Sequence, residues 1–144
     1  MRIVFDESTL KQSDSASHSI TGVVFLDFGG KCFPGEGWND FPVIVAAWWL
    51  EAATDLRRGI DKGVNLGFMD GPYWVTLSLE AVHVVILRCT EDRVGAGVVH
   101  EEHVDLDALV ELVRGFAERV LSACVRCGLE SIDVDSLRKS VSNY

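Results

Sequence analysis

The stretch that decides the fold is Phe33-Pro-Gly-Glu-Gly-Trp-Asn-Asp-Phe-Pro-Val-Ile-Val-Ala-Ala-Trp-Trp-Leu50, a glycine-rich loop running straight into the most apolar segment of the chain. It carries three of the four tryptophans. Asp40 is placed to cap a helix, and Pro42 falls in its first turn, where a missing N–H costs nothing because the first helical amides have no acceptor anyway. Every side chain from Phe41 to Leu50 is apolar and the first charge is Glu51, so the first half of this helix is expected to be buried on all sides, Trp48 included. Arg57 and Arg58 suit the negative end of the helix dipole, and Gly59 supplies a stop.

Upstream, Arg2 to Asp6 reads as a short strand, and the serine- and aspartate-rich segment Glu7 to His18 as a loop. Ile20 to Phe28 is β-branched and aromatic, with Val23 and Phe25 on one face and Val24, Leu26 and Phe28 on the other, which is the pattern of an interior strand. Gly29-Gly30 ends it. Downstream, Val64 to Met69 is a weak strand, and Asp70-Gly71-Pro72 is a turn that makes it a hairpin with Tyr73 to Glu80. In that second arm Tyr73, Val75, Leu77 and Leu79 alternate with Trp74, Thr76, Ser78 and Glu80, so one face meets the core and the other meets water. Val82 to Thr90 and roughly Ala96 to Val104 continue an antiparallel meander. The join at Glu80-Ala81 has no turn residue, and both two strands and one long bent strand stay open there.

Asp105 is an N-cap for the clearest helix, in which Leu106, Leu109, Val113, Phe116, Ala117, Val120 and Cys124 recur at spacings of three and four. Gly128 closes it. Asp133 is placed to cap a short last helix with Val134, Leu137 and Val141 as its buried edge. The expected architecture is a single α+β domain spanning residues 1–144: a largely antiparallel sheet of about five to six strands, two main helices on one face and a short C-terminal helix.

A net charge of −9, from 22 acidic and 13 basic residues, repels nucleic acid and anionic lipid and favours basic partners. Met1-Arg-Ile-Val-Phe-Asp lacks the basic and apolar regions of a secretory signal, so the expected location is the cytoplasm, where Cys32, Cys89, Cys124 and Cys127 stay free thiols. No cofactor, metal or catalytic group is expected. His100-x-Glu102 with Cys124-x-x-Cys127 echoes the zinc deaminases, but Ala123 stands where that signature has proline, and the cysteines fall deep in a helix rather than at its start. A Cys₂His₂ site fails because His100 and His103, three apart in an extended strand, point to opposite faces.

Two stretches are candidates for partner binding. Glu101, Glu102, Asp105, Asp107 and Glu111 run together without a cation in sequence, which suits either the start of a helix dipole or an acidic docking surface. Trp38, between Glu36 and Asp40 on the glycine-rich loop, either anchors an interface or folds back over the core.

Phe33-Pro34, Gly37-Trp38-Asn39-Asp40-Phe41, Trp48-Trp49-Leu50, Phe68-Met69-Asp70-Gly71-Pro72-Tyr73 and Cys124-x-x-Cys127-Gly128 together make the chain, from about Ile20 to Leu137, resemble the small acidic immunity proteins of bacterial polymorphic and contact-delivered toxin systems. That resemblance implies a non-catalytic inhibitor of one cognate toxin domain, often a nuclease with a basic cleft. A small cytosolic enzyme, with or without zinc, and a structural or adaptor domain are the alternative expectations.

Overall fold

The computed structural model describes residues 1–95 and 97–144. In chain order the elements are β1 (Arg2–Gln12), β2 (Ile20–Asp27), β3 (Cys32–Phe33), β4 (Asn39–Asp40), α1 (Pro42–Arg58), β5 (Gly63–Gly67), β6 (Tyr73–Ala81), β7 (Val84–Glu91), β8 (Val98–Asp105), α2 (Leu106–Arg126) and α3 (Ile132–Ser142). The fold is α+β with antiparallel pairing throughout, but its strands form two sheets of four rather than one of five to six. In the first sheet β2 is central, pairing with β1, β3 and β4. The second is the meander β5-β6-β7-β8.

The extra strands come from segments whose composition argues for loops. Glu7–Leu10 continues β1 because the polar residues there satisfy the backbone across a bulge: Thr9 Oγ1 donates to the Asp6 carbonyl, Asp6 Oδ1 accepts from the Ser8 amide, and Thr9 Oγ1 accepts from the Val23 amide. Hydrophobic patterning cannot reveal a strand held by such bonds. Within the glycine-rich loop, Cys32–Phe33 and Asn39–Asp40 add two short strands to β2. The join at Glu80-Ala81 is a hairpin, with β6 and β7 paired from Tyr73↔Glu91 to Ala81↔Val84 and an irregularity at Glu80. The expected start of the last strand at Ala96 lies outside the described residues, and β8 begins at Val98.

α1 and α2 pack on each other and reach both sheets, α1 against β2 and β5, α2 against β1 and β8, while α3 closes over both helices. α2 presents the expected stripe, all of it buried, and Asp105 Oδ1 caps it by accepting from the Ala108 amide at 2.9 Å. α3 starts two residues earlier than expected: Ser131 is the cap, its Oγ accepting from the Val134 amide, and Asp133 lies inside the first turn, where its charge suits the dipole. Gly59 ends α1 in the left-handed conformation at φ 70°.

One chain of aromatic contacts ties the layers together. Phe5 meets Phe116 at 6.1 Å, Phe116 meets Trp49 at 5.8 Å, Trp49 meets Phe68 at 5.2 Å, and Phe68 meets Phe33 at 5.9 Å. Phe33 in turn meets Tyr73 at 5.8 Å, and Tyr73 meets Trp38 at 5.0 Å. Most are edge-to-face, the arrangement the ring quadrupoles favour. Among the described residues no helix is long and apolar enough to cross a membrane.

Two expectations for α1 are corrected. Trp48 is 49% exposed while Trp49 is fully buried, because the sheets cover the helix on only part of its circumference. Asp40 does not cap the helix: the N-cap position is Phe41, with no side-chain cap bond, and the Asp40 carboxylate turns the other way.

Candidate functional site

Among the described residues that carboxylate accepts more hydrogen bonds than any other side chain. Asp40 is 1% exposed, and its Oδ1 accepts from the amides of Phe41 at 2.8 Å and Met69 at 3.0 Å. Its Oδ2 accepts from Trp38 Nε1 at 3.0 Å and from the Asp70 amide at 3.1 Å. An ionised carboxylate is an acceptor-only group, so four converging N–H donors satisfy it without a cation. The arrangement fastens the glycine-rich loop to the β5–β6 turn. Gly71 belongs to the same joint: its φ is +72°, and a Cβ there would come within 2.7 Å of the Tyr73 ring.

Trp38 folds back, its ring against Tyr73 and its carbonyl accepting from the Val24 amide at 2.9 Å. Of this trio only Glu36 is exposed. The Glu36–Trp38–Asp40 segment is therefore mainly a structural clasp, with Trp38 half-buried and Asp40 out of reach of any partner.

The acidic run is divided between the two faces of β8. Glu101 projects outward and pairs with Arg88 on β7, Nε to Oε2 at 2.6 Å. Glu102 projects inward beside His100, Oε2 to Nε2 at 3.4 Å, and His100 stacks on Phe28 with centroids 4.0 Å apart. Asp105 is spent on the helix cap, Asp107 lies 3.6 Å from His83, and Glu111 pairs with Arg114 at 2.9 Å. No cation stands within the run, yet the neighbouring strand supplies Arg88 to Glu101 and the next helical turn supplies Arg114 to Glu111, while the hairpin turn sets His83 beside Asp107. The corner is an exchange of charges rather than a bare negative patch.

Both ends of the β7–β8 ladder carry exposed apolar side chains as well as charges. Val82 is 78% exposed at the β6–β7 turn, Val84 36% at the start of β7, and Val98 and Val99 56% and 37% on β8. His103 faces the same outer side, with Nε2 3.1 Å from Glu80. Sequence reasoning missed the valines, because residues in a strand of apolar character are expected inside; only the pairing register shows which of them the helices leave uncovered.

Neither fully buried cysteine is an activated nucleophile. Burial pushes Cys89 up to about 12 and Cys124 up to about 11, with Glu102 adding to the first, so both stay thiols at neutral pH. Cys127 is exposed and Cys124 buried, pointing the pair in different directions. His100 and His103 occupy opposite faces of β8, and among the described residues no three His, Cys, Asp or Glu side chains are grouped to hold a metal ion.

Comparison with protein families, characterised proteins and solved structures finds no match for this chain.

Proposed function

We propose that this chain is a non-catalytic, protein-binding inhibitor that acts in the cytoplasm on a basic toxin domain, in the manner of the immunity proteins it resembles. The observation that carries the proposal is the outer side of β7–β8, where exposed Val82 and Val84 lie toward the Asp105 and Asp107 end of the ladder and exposed Val98 and Val99 toward the other end, near Glu101, on a chain of net charge −9. Exposed apolar side chains give a partner an area to bury, and the net negative charge of the chain gives a basic partner a field to follow. Nucleic acid and anionic membranes are outside this reading, since the same field repels them.

The test is to express the polypeptide encoded next to this chain with and without it. Relief of growth arrest by this chain, and a stable complex of the two purified proteins, are the expected results. Glu101→Gln with Asp107→Asn should slow association and flatten its salt dependence, because attraction between exposed charges is screened over about 8 Å at physiological ionic strength. Growth arrest unrelieved by this chain, with no complex formed, overturns the reading.

A further inference from the structure

A second surface lies on the opposite edge of the meander. α1 and β5 enclose an open groove of about 460 Å³, lined by Trp48, Glu51 and Asp55 from one stripe of the helix, by Asp61 from the connecting turn, and by Gly63 and Asn65 of the strand. Positions 48, 51 and 55 are spaced three and four apart and so share a helix face. Among the described residues the three carboxylates form no salt bridge and the groove lining contains no cation, although Lys62 follows Asp61 in the chain. This contrasts with the β8 corner, where most of the acids are paired.

The backbone of β5 is open toward this groove. The Lys62 carbonyl accepts from the Leu79 amide and the Phe68 amide donates to the Tyr73 carbonyl. Even-numbered residues between them therefore direct their backbone groups at β6, and Gly63, Asn65 and Gly67 direct theirs away. Trp49 Nε1 donates to the Gly67 carbonyl at 2.8 Å. Gly63 and Asn65 keep their amides and carbonyls without a backbone partner among the described residues. A sheet edge left in this state is a template for another strand.

We infer that the α1–β5 groove receives an extended basic segment of another polypeptide, which adds to the sheet through Gly63 and Asn65 and places Arg or Lys side chains against Trp48, Glu51, Asp55 and Asp61. Backbone bonds to the edge supply affinity, and alternate side chains supply selectivity. A guanidinium between an indole face and carboxylates gains both a cation–π contact and an ion pair. The glycines at 63 and 67 put no side chain in the way. Charge argues against a second copy of this chain as the occupant, since pairing β5 with its own copy would bring the same carboxylates together. The inference goes beyond the inhibitor proposal, because it names a different surface and holds for a basic partner of any origin.

The probe is a short capped peptide alternating Arg and Val, titrated into the ¹⁵N-labelled full chain. The expected result is saturable shifts at the Gly63 and Asn65 amides and at the Trp48 indole. Affinity should fall by about tenfold or more when Glu51→Gln, Asp55→Asn and Asp61→Asn are combined, as expected for loss of close charge pairs. The same peptide with Glu for Arg, or N-methylated on the amides that would face β5, should not bind. Shifts centred elsewhere, equal affinity for the triple variant, equal affinity of the N-methylated peptide, or no saturation up to about 1 mM overturns the inference. Concentration-dependent shifts of Gly63 and Asn65 without peptide, with a dimer in sedimentation, overturn it in favour of self-pairing. Peptide binding by a chain that relieves no toxicity leaves the groove standing and removes the inhibitor reading; relief of toxicity without peptide binding does the reverse.

Discussion

Trp48 and Trp49 are consecutive in α1 and have opposite surroundings: Trp49 is fully buried, donates its indole N–H to the Gly67 carbonyl at 2.8 Å and packs on Phe68 and Phe116, whereas Trp48 is 49% exposed over the β5 groove. Trp49→Ala should therefore cost about 3–5 kcal/mol, the range for emptying a large aromatic site in a core. Trp48→Ala should stay within about 1 kcal/mol, as for a surface change. Denaturant titration of the two variants checks the pair, and equal losses would contradict the placement of the helix.

Asp40 supports a prediction that separates shape from chemistry. Asp40→Asn keeps the volume but turns an NH₂ toward donors that already point at the site, leaving at least one of the Trp38, Phe41, Met69 and Asp70 N–H groups unpaired. A loss of about 2–4 kcal/mol is expected from orphaned buried donors. Trp38→Phe, which removes only one donor, should cost about 1 kcal/mol beyond its change in packing. Thermal unfolding measures both, and an Asn variant as stable as the parent would show that the carboxylate is not holding the joint.

Acid sensitivity has an identifiable contributor. The Gly30 amide and the Arg2 guanidinium hold Asp27 below its ordinary value of 3.8. A carboxyl depressed in the folded state contributes stability above its unfolded value, and that contribution is lost as pH falls through the folded one. Asp27→Asn should therefore be less stable than the parent near neutral pH, and the difference should shrink as pH drops below about 3.9. Chemical denaturation as a function of pH checks this; a difference that widens on acidification would reverse the sign.

Thiol labelling gives a map of burial. Cys127 is exposed and should react first with an alkylating reagent, with Cys32, half-buried and raised by burial and by Asp27 and Glu36, following more slowly. Cys89 and Cys124 should react only once the chain is unfolded, because both are inaccessible and the thiolate is the reactive form. Mass spectrometry after native labelling reads the order, and early modification of Cys124 would mean that α2 lies differently on the core.

What the sequence determined by itself is whatever depends on local spacing. The α2 stripe, its Asp105 cap, the Gly59 stop, the Asp70-Gly71-Pro72 turn and the inward face of β6 all follow from periodicities of 3.6 and 2 and from the backbone needs of a few residues. The tertiary structure alone decided where segments far apart in sequence meet. Asp40 has the composition of a helix cap, yet it binds amides near position 70, because four donors in a buried joint outweigh one exposed cap bond. Glu101 lacks a cation in sequence and finds Arg88 across the ladder. Trp48 sits in an unbroken apolar run, but sheets cover a helix on some sides only, and which side stays open is fixed by where β5 ends its own sheet. Pairing register and the edge of a sheet are relations between distant segments, and no local pattern encodes them.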